Sequence, residues 1–579
     1  SAILDWASAV NVGFSAFISV GNMLDVDFGD LIDYFGNDRD TRSIIMYMES
    51  VTDAANFMSA ARSFARTKPI VVIKAGKHAR SAQAVASHTG SLAGQDAVYE
   101  AAFRRVGVTR VENVGDLFTC SELLAKQPPP SGSRVCVITN AGGPGILTAD
   151  ALLDHGGRLA EISRETREQL ESILPAHAGM DNPIDVLGDA DAERYRESGK
   201  ICAADDAVDG LLAVYSPQGE AGAEEAAQAI VDVARDTRKP VITSWMGGED
   251  VAEARRLFQA NGVPTVQTPE QAVRGYLSLH RYARNLELLY ETPAELPVGA
   301  IPPRNHLKVL LRRIAEADRE LLTETEAKKV LDVYGIPVSE TRVAEDAAQA
   351  ARVAEEIGFP VVLKVLSPDV SHKSDVGGVL LSISSAQDAK DGFERIRRGL
   401  EEHDASARMQ GVTVQKMVED IDYELIFGVK RDPVFGAVIV FGRGGTGVEL
   451  YRDTAVGFPP LNQTLAQRLM VYRLLQGYRN APAADLRRLQ QHLVRFSQLV
   501  IDFPEIREID INPLAVTGGG FNAVDARILI DKTCTLQPDT ARSHIVIEPY
   551  PREYEEAWQM EDGQPVTLRP IRPEDEPLE

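Results

Sequence analysis

The sequence predicts a multidomain α/β protein. Its 579 residues exceed what one hydrophobic core holds, because domains usually contain roughly 100–200 residues. Short apolar runs alternate with alanine-rich and charged stretches of helical character, a pattern typical of parallel sheets flanked by helices. A hydrophobic share of 44% fits a folded globular protein. We therefore expect three or four domains.

Composition restricts the partners of the chain. Lysine and arginine total 61 against 85 acidic residues, a net charge of −24, which disfavours nucleic acid or an anionic membrane as a general partner. No apolar run approaches the roughly 20 residues that span a bilayer, and no secretory segment begins the sequence. The four cysteines are widely spaced, without a paired metal motif, and suit a reducing compartment. We expect a cytoplasmic protein.

The first half of the chain contains the clearest strand signals. Apolar residues 43–48 and 69–74 read as buried parallel strands. Proline-rich residues 127–133 predict a linker, after which Arg134–Thr139 begins another strand. Further strands are predicted at 210–215 and 240–245, with helical stretches between them. This alternation predicts a second, flavodoxin-like parallel sheet.

A change of pattern marks the second half. Prolines within residues 295–303 indicate a connector, and Thr323-Glu324-Thr325-Glu326 then offers a capping box for a helix. A third region begins there.

Two histidine motifs indicate phosphoryl chemistry. His88 lies among small residues in ASHTGSLAG (86–94), where a loop could begin a helix and hold an anion. Taken alone, this motif is explained at least as well by a buried histidine beside a glycine turn. The second motif, HKSDVGG (372–378), favours the phosphoryl interpretation of both histidines. The alternative for His372 is a surface or metal-binding histidine. Neutral imidazole is nucleophilic near pH 7, which suits a phosphoryl carrier.

Together these motifs resemble the NDP-forming acyl-CoA synthetases, a family that includes ADP-forming acetate–CoA ligase and, more distantly, succinyl-CoA synthetase. The resemblance covers nearly the whole chain. It implies that His88 is phosphorylated by an acyl phosphate, with Ser87 and Thr89 beside the phosphoryl group, and that His372 relays the group to or from a nucleotide. Glu49 matches the family's carboxylate that holds the far ring nitrogen; the alternative is a charge at a strand end.

Glycines supply the second part of the predicted phosphate site. Gly142, Gly143 and Gly145 follow a predicted strand where a helix should begin, so their backbone amides can cradle phosphate. Residues 182–185 and 216–219 also resemble family loops around the acyl phosphate. Ordinary turn chemistry explains those two loops equally well.

Residues from about 321 to 531 resemble an ATP-grasp domain, an α+β fold with two lobes. Lys364 is expected to end an apolar strand, with its ammonium over the phosphates. Residues 412–418 resemble the adenine hinge and residues 442–447 a flexible glycine-rich segment, for which a surface turn is the alternative. The resemblance implies a nucleotide site formed by Lys364, Gln415, Val418, Glu424, Gly444 and Gly445.

A magnesium site is predicted near the end of this domain. Alternation places Asp510 and Asn512 on one face of a strand, and Asp525 is expected to join them from the neighbouring strand of a hairpin. Oxygen ligands of this kind suit Mg²⁺, which keeps several waters and binds nucleotide phosphates.

The expected fold class is therefore α/β multidomain, with two flavodoxin-like, succinyl-CoA synthetase-like domains followed by an α+β ATP-grasp domain. We expect these domains at 1–130 and 131–290, a linker at 291–320 and the ATP-grasp domain at 321–535. Residues 536–579 are expected to hold a linker and the truncated start of a GNAT acetyltransferase, which residues 566–575 resemble. On this interpretation the chain is a fragment of a longer protein and lacks the family's CoA-binding Rossmann domain.

Two functions follow from the resemblance. The first is reversible acyl-CoA synthesis from a small carboxylic acid such as acetate, CoA and ATP, releasing ADP and phosphate, with Mg²⁺ as cofactor. The alternative is a region of a GNAT protein lysine acetyltransferase that senses acyl-CoA or nucleotide without turnover. Because related synthetases assemble their halves into complexes, a homo-oligomer is expected in either case.

Overall fold

The computed structural model describes residues 4–5, 7, 12–77, 96–218, 222–292, 302, 304–367, 370, 373, 376–403, 406–445, 454–470, 473–477, 482–518, 520–536, 543–573 and 575. Two compact units divide the chain, Ser1–Tyr290 and Glu291–Glu579. Both predicted relay histidines, His88 and His372, lie outside the described residues, as do Ser87 and Thr89.

The first unit begins with a parallel sheet in the order β1-β2-β3. Its strands are β1 (Ile44–Met48), β2 (Ile70–Lys74) and β3 (Thr109–Val111), and its helices are α1 (Phe28–Asn37), α2 (Ala54–Phe64), α3 (Asp96–Arg105) and α4 (Val114–Lys126). Asp27 begins α1 with a capping box that includes Asp30, which satisfies free backbone amides of the first turn. The strands predicted at 43–48 and 69–74 are present, because continuous apolar residues suit strands buried on both faces.

A second parallel sheet completes this unit, in the order β5-β4-β7-β8-β9 with β6 paired to β4. The strands are β4 (Arg134–Thr139), β5 (Arg158–Leu159), β6 (Ile184–Asp185), β7 (Gly210–Tyr215), β8 (Val241–Trp245) and β9 (Thr265–Val266). The helices are α5 (Gly142–Asp154), α6 (Arg164–Ile173), α7 (Ala192–Ala204), α8 (Ala223–Asp236), α9 (Ala252–Ala260) and α10 (Pro269–Leu289). One apolar cluster joins both sheets, since it contains Val71 of β2, Leu123 of α4, Val137 of β4 and Tyr276 of α10.

The second unit begins with α11 (Asn305–Glu316) and α12 (Glu324–Val333). The predicted capping box is present: the Thr323 hydroxyl accepts from the Glu326 amide at 3.3 Å, and the Glu326 carboxylate accepts from the Thr323 amide at 2.7 Å. An antiparallel sheet follows, in the order β10-β13-β11-β12. It contains β10 (Thr341–Ala344), β11 (Val361–Leu366), β12 (Val379–Ile383) and β13 (Gly411–Lys416), with α13 (Ala347–Ile357) and α14 (Ala386–His403).

A larger antiparallel sheet lies in the same unit, in the order β16-β15-β14-β17-β18 with β19 paired to β17. Its strands are β14 (Tyr423–Asp432), β15 (Gly436–Arg443), β16 (Thr454–Gly457), β17 (Ile506–Thr517), β18 (Gly520–Ala523) and β19 (Ala526–Ile530). Further elements of this unit are α15 (Gln463–Leu469), α16 (Leu486–Asp502), α17 (Lys532–Leu536), the 3-10 turns Arg473–Gln476 and Arg552–Tyr554, and a hairpin of β20 (Glu556–Gln559) and β21 (Pro565–Leu568). Among the described residues, no helix is both long and apolar enough to cross a membrane.

Two local predictions were wrong in detail. Lys364 does not end its strand, because β11 continues to Leu366. Asp525 is not on a strand either: it lies in the two-residue connection between β18 and β19. For Lys364 the apolar run itself continues through Val365 and Leu366, so the predicted bound was too short.

Candidate functional site

Glu49 and Lys74 lie at the carboxyl edge of the first sheet. Met48 pairs with Lys74 in parallel register, and Glu49 follows directly after β1. One carboxylate oxygen of Glu49, Oε2, is buried and has no hydrogen-bond partner among the described residues. A buried acceptor without a donor is costly, so this oxygen suits a donor such as an imidazole N–H.

Lys74 adds a buried positive charge to the same edge. Its Nζ donates to the Ala75 carbonyl at 2.6 Å and lies 4.4 Å from the centre of the Tyr99 ring. Burial lowers the pKa of Lys74, and the charges of Asp96 and Glu49 oppose that change. Residues 78–95, which include His88, connect Lys77 to Asp96 in the sequence. Both of these flanking residues lie at this edge of the sheet.

The predicted glycine cradle is the start of a helix. Helix α5 begins at Gly142, directly after the short turn that follows β4, and no side chain caps it at Ala141. The Gly145 amide donates to the Ala141 carbonyl at 3.1 Å, while Gly143 has open space where a Cβ would lie. The amides of Gly142 and Gly143 are therefore suited to an anion.

At the two neighbouring loops, which begin at Asn182 and Ser216, asparagine side chains form hydrogen bonds with the backbone. Asn182 accepts from the Val137 amide at 2.9 Å and donates to the Val135 carbonyl at 2.7 Å. Asn140 exchanges hydrogen bonds with the backbone of Ser216, at 2.8 and 2.9 Å. Turn chemistry and strand anchoring account for these contacts, and both loops lie at the sheet edge where α5 begins.

A buried ion cluster surrounds Glu324 in the second unit. Its Oε1 accepts from Lys364 and from Lys328, each at 2.9 Å, and its Oε2 accepts from Lys373. Burial alone would raise the pKa of Glu324, but the three ammonium groups hold it well below the usual range. Burial lowers the pKa of Lys328 to about 8, although Glu324 partly offsets this.

The cluster links both sheets of the second unit. From β11, Lys364 donates to the Val524 carbonyl at 3.0 Å, and its Nζ lies 3.7 Å from Asp525 Oδ1. Lys373 Nζ lies 3.5 Å from the same oxygen. Three lysines against Glu324 and Asp525 leave an excess of positive charge, which suits the phosphates of a nucleotide.

Gln415 lies on the same face of the first of these sheets as Lys364. Strand β13 pairs Gln415 with Val362 and Thr413 with Lys364, so alternation places both side chains on one side. Gln415 Oε1 accepts from Lys328 Nζ at 2.9 Å, and its Nε2 is buried without a partner among the described residues. Val418 follows β13 by two residues and is half-buried.

Glu424, Gly444 and Gly445 form a second group. The Gly444 amide donates to the Glu424 carbonyl at 2.7 Å. At Gly445, φ is +81° and a Cβ would overlap the Glu424 carboxylate, so only glycine fits there. The Gly445 amide donates to Asn512 Oδ1 at 2.7 Å. The structure therefore brings Asn512 together with two of the predicted nucleotide residues.

Asp510 supplies a carboxylate to the same region. Asp510 and Asn512 share one face of β17, as alternation predicts. Asp510 Oδ1 is buried and has no partner among the described residues. Burial, followed by the charges of Glu508 and Asp525, raises the pKa of Asp510. In the described part of the chain, no three His, Cys, Asp or Glu residues converge as a metal-binding group.

Sequence reasoning missed Glu324 and Lys328 as site residues and noted Lys373 only as a neighbour of His372. One signal was present: Lys328 lies in the apolar stripe of α12, between buried Ala327 and Leu331. A lysine on a buried helix face needs a partner, and Glu324 lies one turn earlier.

Comparisons with known proteins cover most of the chain. Residues 1–124 match the succinyl-CoA ligase like flavodoxin domain, residues 135–290 the ligase-CoA domain and residues 313–530 an ATP-grasp domain. The expected fold class, two flavodoxin-like parallel-sheet domains followed by an ATP-grasp domain, is thereby confirmed.

Characterised relatives extend over 91% of the chain and 76% of their own length. The ADP-forming acetate–CoA ligase I of Archaeoglobus fulgidus is 39% identical over 533 residues. The ADP-forming acetate–CoA ligase of Methanocaldococcus jannaschii is 33% identical over 556 residues. The ADP-forming 4-hydroxybutyrate–CoA ligase of Nitrosopumilus maritimus is 31% identical over 536 residues.

These relatives support the expected acid–thiol ligase and not the alternative of a sensor without turnover. With this identity over this length, the chain belongs to the ADP-forming acetate–CoA ligase family.

Proposed function

We propose that the chain catalyses the reversible conversion of a carboxylic acid, CoA and ATP into acyl-CoA, ADP and phosphate. The structural observation that carries this proposal is the buried cluster of Lys328, Lys364 and Lys373 around Glu324. Its excess positive charge lies where the two sheets of the ATP-grasp unit meet, which suits a nucleoside triphosphate. Family membership supplies the reaction class.

His88 is the proposed phosphoryl carrier. In the direction of synthesis, a neutral nitrogen of His372 attacks the γ-phosphorus of ATP, and the bond to the β-phosphate oxygen breaks to release ADP. The neutral imidazole nitrogen of His88 then attacks the same phosphorus, and the bond to His372 breaks. The acid carboxylate then takes the phosphoryl group as acyl phosphate, and the CoA thiolate displaces phosphate from the acyl carbon. Glu49 would accept the other ring N–H and so orient the imidazole. This role fits its buried Oε2, which has no partner among the described residues.

Donors around the phosphoryl group complete the first half-site. We propose Ser87 and Thr89, with the amides of Gly142 and Gly143, as ligands to its oxygens. The predicted donor Gly145 is not among them, because its amide already donates to the Ala141 carbonyl. The uncapped start of α5 supports this assignment, since a helix N-terminus stabilises an anion by about 0.3–1 kcal/mol.

The nucleotide half-site is proposed to use Lys364 for the phosphates, Gln415 and Val418 for the base, Glu424 for the ribose and Gly444–Gly445 as the covering turn. Asp510, Asn512 and Asp525 would hold Mg²⁺. Asp510 Oδ1 is buried and has no partner among the described residues, and the pKa of Asp510 is raised, both of which suit a carboxylate that binds a cation. When bound, Mg²⁺ would neutralise charge on the nucleotide phosphates.

His372 is proposed to relay the phosphoryl group between the nucleotide and His88. The residue that follows His372 in the chain, Lys373, is bonded to Glu324. Transfer over any distance beyond the reach of one side chain needs a second carrier, and His372 is the candidate for that carrier.

Several broader features are also proposals. The acid is acetate or another short acid, as the acetate and 4-hydroxybutyrate ligases among the relatives suggest. We propose a cytoplasmic homo-oligomer, and its four free cysteines fit a reducing compartment. We also propose domain boundaries at residues 1–130, 131–290 and 321–535, and the start of a GNAT domain near residue 566, with which the hairpin β20–β21 is compatible.

The proposed function is tested by incubating the chain with Mg²⁺ and γ-labelled ATP. We expect an acid-labile, base-stable phosphoryl adduct in the wild type and in His177→Ala, whose histidine is exposed. We expect none in His88→Ala. Equal labelling of His88→Ala would exclude His88 as the carrier, and absence of label from the wild type would count against an ATP-to-histidine relay in this chain.

A further inference from the structure

We propose that Lys328 and Gln415 form a base-reading pair, in which Lys328 orients the Gln415 amide so that Nε2 donates to N7 of the purine. The inference rests on the proposed nucleotide site and names how that site reads the base. Lys328 is a positioning residue in this pair, and Gln415 is the group that contacts the ligand.

The orientation of the Gln415 amide follows from the chemistry of lysine. An ammonium group donates hydrogen bonds and accepts none, so the amide atom 2.9 Å from Lys328 Nζ must be the oxygen. The amide nitrogen then points away from Lys328.

Lys328 itself is held from three sides. Besides Gln415, its Nζ contacts Glu324 Oε1 at 2.9 Å, Ser339 Oγ at 2.9 Å and Thr341 Oγ1 at 2.8 Å. These contacts come from α12, from the segment before β10 and from β10 itself. The ammonium is thus fixed before a ligand binds, and the Gln415 oxygen is fixed with it.

The Gln415 amide nitrogen has no acceptor in the part of the chain that the structure describes. Gln415 is fully buried, and its Nε2 has no hydrogen-bond partner among the described residues. A buried donor without an acceptor is unfavourable. An acceptor on the bound ligand would satisfy this donor.

Gln415 is positioned to contact the base of the nucleotide. It shares a face with Lys364, which is proposed to bind phosphate, and lies two residues further along the paired strands. It precedes Val418, the proposed hinge residue, by three positions. Phosphate at Lys364 and base at Val418 place the purine beside the Gln415 amide.

Purine edges decide which acceptor is available. Adenine presents the N7 acceptor next to the N6 amino donor, whereas guanine presents N7 and O6, both acceptors. A glutamine that can flip would also accept from N6, but one held by Lys328 can only donate. The pair therefore recognises N7, which both purines carry, and does not reject a 6-oxo purine.

The test compares ADP, 7-deaza-ADP and GDP as ligands of the full chain by calorimetry with Mg²⁺. In 7-deaza-ADP a C–H replaces N7. We expect the wild type to bind ADP roughly tenfold more tightly than 7-deaza-ADP, as one buried hydrogen bond implies, and to bind GDP within a few-fold of ADP. Lys329→Met should behave as the wild type, because Lys329 is the exposed neighbour of Lys328.

Two variants isolate the pair. Gln415→Glu has the same shape, keeps an oxygen for Lys328 and loses the donor, so its preference for ADP over 7-deaza-ADP should vanish and GDP should bind more weakly than ADP. Lys328→Met frees the amide to flip, so that preference should fall to about one- to threefold.

The outcomes separate this inference from the proposed function. Tight binding of ADP with equal binding of 7-deaza-ADP by the wild type would overturn the base-reading pair and leave the nucleotide site standing. Retention of the tenfold preference in Gln415→Glu would also overturn it. Failure of the wild type to bind any nucleotide would contradict the proposed function and the inference together.

Discussion

Lys364 and Glu324 form a buried ion pair, with 2.9 Å between Nζ and Oε1, that joins β11 to the first turn of α12. Glu324 is the shared counter-ion of three lysines, so its charge decides whether they remain close to one another. Ion pairs of this kind are weak sources of net stability, but removing one partner leaves an uncompensated buried charge.

Glu324→Gln should therefore destabilise the second unit by about 3–5 kcal/mol and weaken ADP binding, because Lys364 and Lys373 lose the group that holds them. Urea unfolding and calorimetry measure the two effects. Glu340→Gln is the control, since Glu340 pairs with Arg342 at the surface and should change stability by less than about 0.5 kcal/mol. Unchanged unfolding of Glu324→Gln would refute the role given to this residue.

Glu49→Gln should slow formation of the phosphohistidine at least about tenfold, because an amide no longer fixes the imidazole tautomer. Rapid-quench labelling with γ-labelled ATP gives the rate. Glu161→Gln, at an exposed position of the same unit, should match the wild type. A wild-type rate in Glu49→Gln would show that the buried Oε2 has another purpose.

Asp510→Asn should reduce the Mg²⁺ dependence of ADP binding, with Asp391→Asn on the exposed face of α14 as control. Burial, Glu508 and Asp525 raise the pKa of Asp510, so protons compete with Mg²⁺ from a higher pH than at an ordinary aspartate. Wild-type Mg²⁺ affinity should fall on mild acidification, and that fall should be absent in Asp510→Asn. If the Mg²⁺ affinity depends on pH in the same way in the wild type and in Asp510→Asn, Asp510 is not a ligand of the metal.

His372→Ala should slow single-turnover transfer of label from ATP to His88 while leaving the affinity for ADP unchanged, because the relay is lost and the lysine cluster remains. His403→Ala, at the exposed end of α14, provides the control. An unaltered transfer rate would exclude His372 from the relay.

His492 predicts an acid sensitivity of the second unit that is unrelated to catalysis. Burial, with the nearby charges of Arg488 and Arg495, lowers the pKa of His492 to about 4, and its ring meets Phe521 edge-on. Between pH 6.5 and about 4 the unfolded chain takes up a proton that the folded state refuses, so stability falls as pH falls. His492→Phe should flatten that slope in urea unfolding, whereas His403→Gln should not. If the free energy of unfolding of His492→Phe depends on pH as it does in the wild type, a group other than His492 causes the acid sensitivity.

Local sequence patterns correctly predicted many of the strands and helix starts. The strands Arg134–Thr139 and Gly210–Tyr215 match their predicted bounds, because continuous apolar residues between breakers specify buried parallel strands. The capping box at Thr323 formed as predicted, since its hydrogen bonds involve residues only three positions apart.

Tertiary packing determined the side-chain contacts that local patterns do not predict. The sequence by itself determined the order of strands and helices and the nature of the chemistry-bearing residues, because these depend on local periodicity and on motifs of a few residues. Only the tertiary structure decided that Glu324 meets Lys364, 40 positions away, and Lys373, 49 positions away. It likewise decided that Lys328 meets Gln415 across 87 positions. Such contacts exist because two sheets and one helix fold onto each other, and a buried charge must then find its partner wherever the chain brings one.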